Sequence, residues 1–209
     1  MGSEHEHRRN EIADAVLAVV AERGLAAVSL VAVAAQAGVS PGRVQHYFPT
    51  KRELVEAAFE RGNARSSERI AAKTNPDEQD LSRRRLLTVV LTELIPYDAV
   101  TRAHLRVRQS FTAVALADEV IAARLRGDYA TLHGQLADLL RCDQAAGHLR
   151  AGTDPAEVAV TLVALAEGLA YYVLIGVRPA AAARDQVLAA ISAVYAVGEA
   201  RAPGQSDSG

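Results

Sequence analysis

Tryptophan is absent from this 209-residue chain, and aromatic residues make up only 4% of it. With so few large rings, alanine and leucine must carry the packing, which favours closely packed helices over sheets. The single cysteine, Cys142, excludes an intrachain disulfide and any cysteine-rich zinc site. Long uninterrupted apolar runs are missing too. The nearest approach to a membrane span, residues 156–177, carries Glu157 and Glu167, and the first residues have no apolar signal centre. These absences point to a soluble cytoplasmic protein with no membrane contact. There is no glycine-rich phosphate loop and no His-Glu-x-x-His run, and Cys142 has no local base. An enzyme is therefore disfavoured, and no catalytic residue, cofactor or metal is expected.

An excess of positive charge is also missing, since 23 basic residues face 25 acidic ones for a formal net charge of -2. Any nucleic-acid surface must then be local. Residues 24–52 supply one, because their only formal charges are Arg43, Lys51 and Arg52.

What is present is apolar periodicity. Half of the residues are apolar, enough for one sizeable core or two smaller ones. The spacing predicts an all-α fold of about nine helices without strands. Residues 1–9 read as a polar, disordered arm in which Arg8 and Arg9 could reach a phosphate or a minor groove. Ile12, Ala13, Val16, Leu17, Val19 and Val20 recur at helical spacing over 10–23, and Gly24 stops that helix. Ser29 caps a helix over 30–37, Gly38 is the turn, and Ser40 with Pro41 opens a second short helix. Val44 is the inward residue of that helix, leaving Arg43, Gln45 and His46 facing away. Thr50 and Glu53 form a capping box for a long helix reaching about residue 72. After a connection over 73–80, helices follow over 80–95, 100–116, 118–145, 156–175 and 179–200. Two short helices joined by a glycine turn, the second bearing large polar side chains, form a helix-turn-helix, which places one helix in a DNA major groove.

The last two helices are apolar on nearly every side. Leu162, Leu165 and Leu169, with Val187, Ile191, Val194 and Tyr195, are expected to form a four-helix interface across a two-fold axis. The other reading is a deeply buried core within one chain. A dimer would separate two heads by roughly 34–36 Å, matching successive major grooves of a pseudo-palindromic site.

The run Ala35-Gln36-Ala37-Gly38-Val39-Ser40, followed by His46-Tyr47-Phe48-Pro49-Thr50-Lys51 and Leu54, resembles the DNA-binding motif of the TetR family of one-component transcriptional regulators. Gly147-His148-Leu149, Asp154-Pro155 and Glu167-Gly168-Leu169 are similar, more loosely, to the carboxy-terminal domain of the betaine repressor branch. The resemblance implies an amino-terminal three-helix domain over 1–53, a larger ligand-binding and dimerisation domain over 54–203, and a disordered tail over 204–209. It implies a homodimer that represses transcription from double-stranded operator DNA until a small-molecule effector enters the helical core. Carried over by position, Ser40 and Tyr47 contact phosphates, Lys51 caps that contact, and Arg43, Gln45 and His46 lie on the reading helix opened by Pro41. Arg43 stands where a small residue is common and Gln45 where tyrosine is frequent, so operator preferences do not transfer. Arg43 suits guanine O6 and N7, and Gln45 suits adenine N6 and N7.

For the effector, Arg108, Phe111 and Thr112 occupy neighbouring helical positions, Tyr129 and His133 lie one turn apart on the next helix, and Glu167 and Tyr171 follow on a third. These seven residues are expected to line the pocket. Arg108 paired with Glu167 is the competing arrangement. An unpaired, inward Arg108 would call for an anionic or oxygen-rich effector. The rival to the repressor is an all-helical small-molecule-binding protein without sequence-specific DNA binding.

Overall fold

The computed structural model describes residues 2–74 and 82–196. The expected tail over 204–209 lies outside them. The described residues form nine α-helices: α1 (Gly2–Arg23), α2 (Leu30–Ala37), α3 (Pro41–Tyr47), α4 (Lys51–Lys73), α5 (Arg83–Glu93), α6 (Ala99–Ala115), α7 (Glu119–Ala145), α8 (Pro155–Leu174) and α9 (Ala180–Val194). A 3-10 turn, Leu25–Ala27, joins α1 to α2.

The helix starts follow the side-chain caps in the sequence. Ser29, Ser40, Thr50, Ser82, Asp98, Asp118 and Asp154 each accept a hydrogen bond from a backbone amide of the first turn that would otherwise lack a partner. One expectation fails at the amino terminus. Residues 2–9 are the first two turns of α1 rather than a disordered arm. Glu11 accepts from Arg8 at 2.6 Å and stands 3.2 Å from His7. Arg9 donates to the Tyr47 carbonyl at 3.2 Å and lies 4.5 Å from the Phe48 ring centroid, so it closes the end of α3 rather than reaching outward.

Two hydrophobic cores divide the molecule. The first joins α1–α4 through Val16, Val20, Val33, Val44, Phe48 and Leu54, and it extends onto Ala103, Val107 and Phe111 of α6 and Ile121 and Leu125 of α7. The head is thus seated on α6 and α7. The second core unites α5, α7, α8 and α9 through Leu87, Leu91, Leu140, Leu162, Val187 and Ile191. Helix α8 has the length and apolar composition of a membrane span, yet one face of it, including Leu162, Val163, Ala166, Leu169, Ala170 and Val173, is buried inside this second core.

That burial corrects the expected dimer interface. Leu162, Leu169, Val187, Ile191 and Tyr195 are at most 5% exposed within a single chain, and Leu165 and Val194 pack against the same core. Tyr195 is fixed further by its hydroxyl, which donates to the buried Asp143 at 2.7 Å, and by an antiparallel bridge to Leu149. Apolar side chains on nearly every side of α8 conceal which stripe is internal, and the monomer core takes the stripe that had been assigned to the partner.

Candidate nucleic-acid interface and effector cavity

The candidate reading surface is built from a turn and two caps. Gly38 has φ 66°, a left-handed conformation that costs a side-chain-bearing residue but not glycine. Ser40 Oγ accepts from the Arg43 amide at 3.2 Å, and Pro41 occupies the first turn where no amide hydrogen is required. The Ser40 hydroxyl proton is left available to an outside acceptor. Val44 is fully buried, which turns Arg43, Gln45 and His46 outward, all three exposed. Tyr47 is half-buried, with its ring 4.8 Å from His5 and 5.4 Å from His46. Seven residues could not hold a helix in isolation. Val44 and Phe48 in the core and Arg9 across the last carbonyl hold this one.

Lys51 begins α4 beside this surface and is exposed. Thr50 Oγ1 accepts from Glu53 N at 3.2 Å and Glu53 Oε2 accepts from Thr50 N at 3.4 Å, fixing where that lysine emerges. Arg52 points elsewhere, pairing with Asp118 at the start of α7 at 3.2 Å. Of the local basic residues, Arg43 and Lys51 therefore face outward without a carboxylate partner among the described residues.

A cavity of about 340 Å³ lies between α4, α5, α6, α7 and α8. Its α6 wall includes Thr101, His104, Arg108 and Thr112, which recur every three or four residues on one helical face. Tyr129 and Glu167 close it from α7 and α8. Glu167 Oε1 stands 2.9 Å from Arg108 Nη2, and the Tyr129 hydroxyl donates to the same carboxylate at 2.8–2.9 Å. Burial, with the carboxylate beside it, pushes the Tyr129 phenol up to about 12, so it remains a donor. Arg108 Nη2 is at ion-pair distance, but its N–H bonds miss the carboxylate, and this buried nitrogen has no hydrogen-bond partner among the described residues.

Four of the seven expected pocket residues, Arg108, Thr112, Tyr129 and Glu167, line the cavity. Three do not. Phe111 lies one helical step away and stacks on Phe59 with centroids 4.4 Å apart, buried behind the wall. His133 packs beside Tyr129 with ring centroids 5.8 Å apart but is not part of the lining. Tyr171 is 46% exposed on the outer face of α8.

The polar wall of α4 and α5 has no counterpart among the seven expected pocket residues. Asn63, Ser66, Ser67 and Arg69 line the cavity from α4. Glu93, with a fully buried side chain, accepts from Arg69 at 2.5 Å and Lys73 at 2.7 Å. His104 Nε2 is 3.1 Å from Asn63 Oδ1. Burial, with Arg108 and Arg69 nearby, lowers its pKa to about 4, so the imidazole is neutral near pH 7. The available signal was the polar run between Phe59 and Ile70 on a helix otherwise committed to the core. Among the described residues no group of three or more His, Cys, Asp or Glu could hold a metal ion.

Residues 12–58 match the family model described as bacterial regulatory proteins, tetR family, and residues 83–196 match that for the carboxy-terminal domain of BetI-type transcriptional repressors. The HTH-type transcriptional regulator PksA of Bacillus subtilis is 30% identical over 173 residues, covering 82% of this chain and 81% of that protein. The HTH-type transcriptional repressor KstR of Mycolicibacterium smegmatis is 42% identical over 76 residues, 36% of this chain and 35% of that one. Among solved structures, a TetR-family transcriptional regulator from Rhodococcus sp. superposes with a TM-score of 0.74 at 30% identity, over 90% of this chain and 98% of that chain. A transcriptional regulator from Saccharomonospora viridis, solved in complex with choline, shares the fold with a TM-score of 0.79 at 22% identity, over 92% of this chain and all of that one. The helix-turn-helix head, the helical regulatory body and these matches together establish that the chain belongs to the TetR family of DNA-binding transcriptional regulators, with a BetI-like carboxy-terminal domain.

Proposed function

We propose that the protein is a cytoplasmic homodimeric repressor that binds a pseudo-palindromic operator and is released by a small-molecule effector. One observation carries this reading: α4 is continuous from Lys51, at the edge of the reading surface, to Asn63, Ser66 and Arg69 in the cavity wall. A ligand that moves the cavity end of a rigid helix also moves its other end, and a two-headed reader is sensitive to small changes in head separation. Ser40, Tyr47 and Lys51 take phosphates, and Arg43, Gln45 and His46, on the helix opened by Pro41, read base edges.

The two-fold contact is assigned to the outer stripe of α8. Val160, Tyr171, Tyr172 and Ile175 are 44–53% exposed, and the small residues Ala164 and Gly168 lie exposed between them, allowing two helices to approach closely. Exposed Ala181, Ala189 and Ala193 of α9 supply a second small-residue surface for the same contact.

Capture of genomic duplexes by the purified protein, followed by a screen for compounds that release them, tests the reading. Retention of specific duplexes and their release by a compound support it. A protein that binds small molecules but retains no duplex above nonspecific competitor is instead a helical binding protein.

A further inference from the structure

The two glutamates of the cavity are matched by cations, but one donor is unmatched. Glu167 faces the Arg108 guanidinium at 2.9 Å and neutralises it, while both Glu167 oxygens also accept from Tyr129. Across the cavity, Glu93 is held by Arg69 and Lys73. Neither of these two carboxylates is left for a cationic ligand, and the third carboxylate of the lining, Asp128, is solvent-exposed and lies in the field of Arg124. Only Phe59 and Tyr129 among the lining residues are aromatic, and Phe59 already stacks on Phe111. A cage of ring faces for a quaternary ammonium group is therefore absent from the described lining.

What the site lacks is an acceptor at Arg108 Nη2, a buried nitrogen without a hydrogen bond among the described residues. A carboxylate placed there would stand beside Glu167, a like charge in a partly dehydrated cavity. An uncharged carbonyl oxygen fills the same place without that repulsion. The neighbouring wall suits the rest of such a molecule, because Leu94, Leu105, Leu125 and Leu132 offer apolar surface. His104, neutral near pH 7, adds no cation that would favour an anion.

Resting on the proposal that this cavity is the effector site, we infer that its ligand class is an uncharged, largely aliphatic molecule whose ester, ketone or amide carbonyl accepts from Arg108 Nη2. The Arg108–Glu167–Tyr129 group sets this preference apart from that of a regulator that reads a cation.

Calorimetric titration of the full-length protein with methyl octanoate, octanoate and octyltrimethylammonium tests it, since the three probes share an aliphatic body and differ in the head. The ester is expected to bind at least tenfold more tightly than either charged probe. The paired substitution Arg108→Met with Glu167→Gln removes the orphan donor without leaving a lone charge. It is expected to cut ester affinity at least tenfold while helical circular dichroism and duplex affinity hold. Equal or tighter binding of a charged probe, ester binding unchanged in the paired variant, or binding of none of the three overturns the carbonyl assignment. If the paired variant fails to fold, the ranking of the three probes on the unaltered protein decides alone. Duplex binding measured without any probe is a separate readout. An ester that binds as expected but never releases duplex contradicts the effector reading and leaves the ligand class standing.

Discussion

Gly62 of α4 lies directly against the imidazole of His104 on α6: a β-carbon at position 62 would come within 2.0 Å of His104 Cδ2 and 2.7 Å of its Cγ. The two helices approach this closely because glycine removes the side chain at the crossing. Asn63, the next residue, then holds the ring at 3.1 Å. Gly62→Ala is expected to destabilise the fold by about 1–3 kcal/mol through overpacking, offset only partly by the better helix propensity of alanine, about 1 kcal/mol. Adding His104→Ala should recover part of the loss. A denaturant-unfolding cycle over the four proteins checks this, because the two changes must be strongly non-additive if the contact is the cause.

His104 also gives stability a pH dependence with a defined sign. Its pKa falls from 6.5 to about 4 on folding, so between those values the unfolded chain binds the proton and the folded one does not. Its contribution is intact above pH 6.5, declines as the pH drops towards 4 and amounts to about 3 kcal/mol across that window. Arg108 and Arg69 are the cations that oppose protonation, after burial itself. Measured from pH 7 to pH 4, the unfolding free energy of the unaltered protein should fall relative to that of His104→Gln.

On the DNA side, Lys51→Ala and Gln45→Ala should fail differently. Loss of the Lys51 phosphate contact from both heads of a dimer weakens binding to all duplexes and makes the slope of log affinity against log salt shallower by about 1.8. Loss of Gln45 removes discrimination, about 1–3 kcal/mol at the base it reads, with little change in that slope. Competition binding over salt concentration and base substitution distinguishes the two. Uniform loss across all base variants for Gln45→Ala contradicts its assignment to the reading helix.

The dimer contact is tested by two substitutions, one at a buried and one at an exposed position of α8. A β-carbon at Gly168 meets nothing within 4 Å in the single chain, so Gly168→Glu should leave the protomer folded while placing a charge in the proposed two-fold contact. Leu162, 3% exposed, is internal, and Leu162→Glu should unfold the protein at a cost above about 4 kcal/mol. Analytical ultracentrifugation with circular dichroism should find a helical monomer for the first and lost helicity for the second. A Gly168→Glu protein that remains a dimer contradicts the assigned face.

The head was legible because its elements are encoded locally. Ser29, Gly38, Ser40, Thr50 and Glu53 each act within three or four residues of their own position, and all take the places their chemistry dictates. Helical phase explains what was missed in the cavity. Arg108 and Thr112 share one face, but Phe111, one residue earlier than Thr112, turns into the head core against Phe59. The α8 helix posed a different difficulty, since apolar side chains on both faces give periodicity no means of telling core from partner surface. Arg9 was misread for a third reason: its partner is a backbone carbonyl 38 positions away, which no pattern near residue 9 reveals.

Selection of bound duplexes from a random pool by the purified full-length chain decides whether it is a two-headed reader of DNA sequence. An inverted repeat with half-sites about one helical turn or a multiple of it apart should be enriched, and Gln45→Ala should lose that enrichment. A folded protein that enriches no sequence, or one recovered as a monomer on a single unrepeated site, would contradict a two-headed reader.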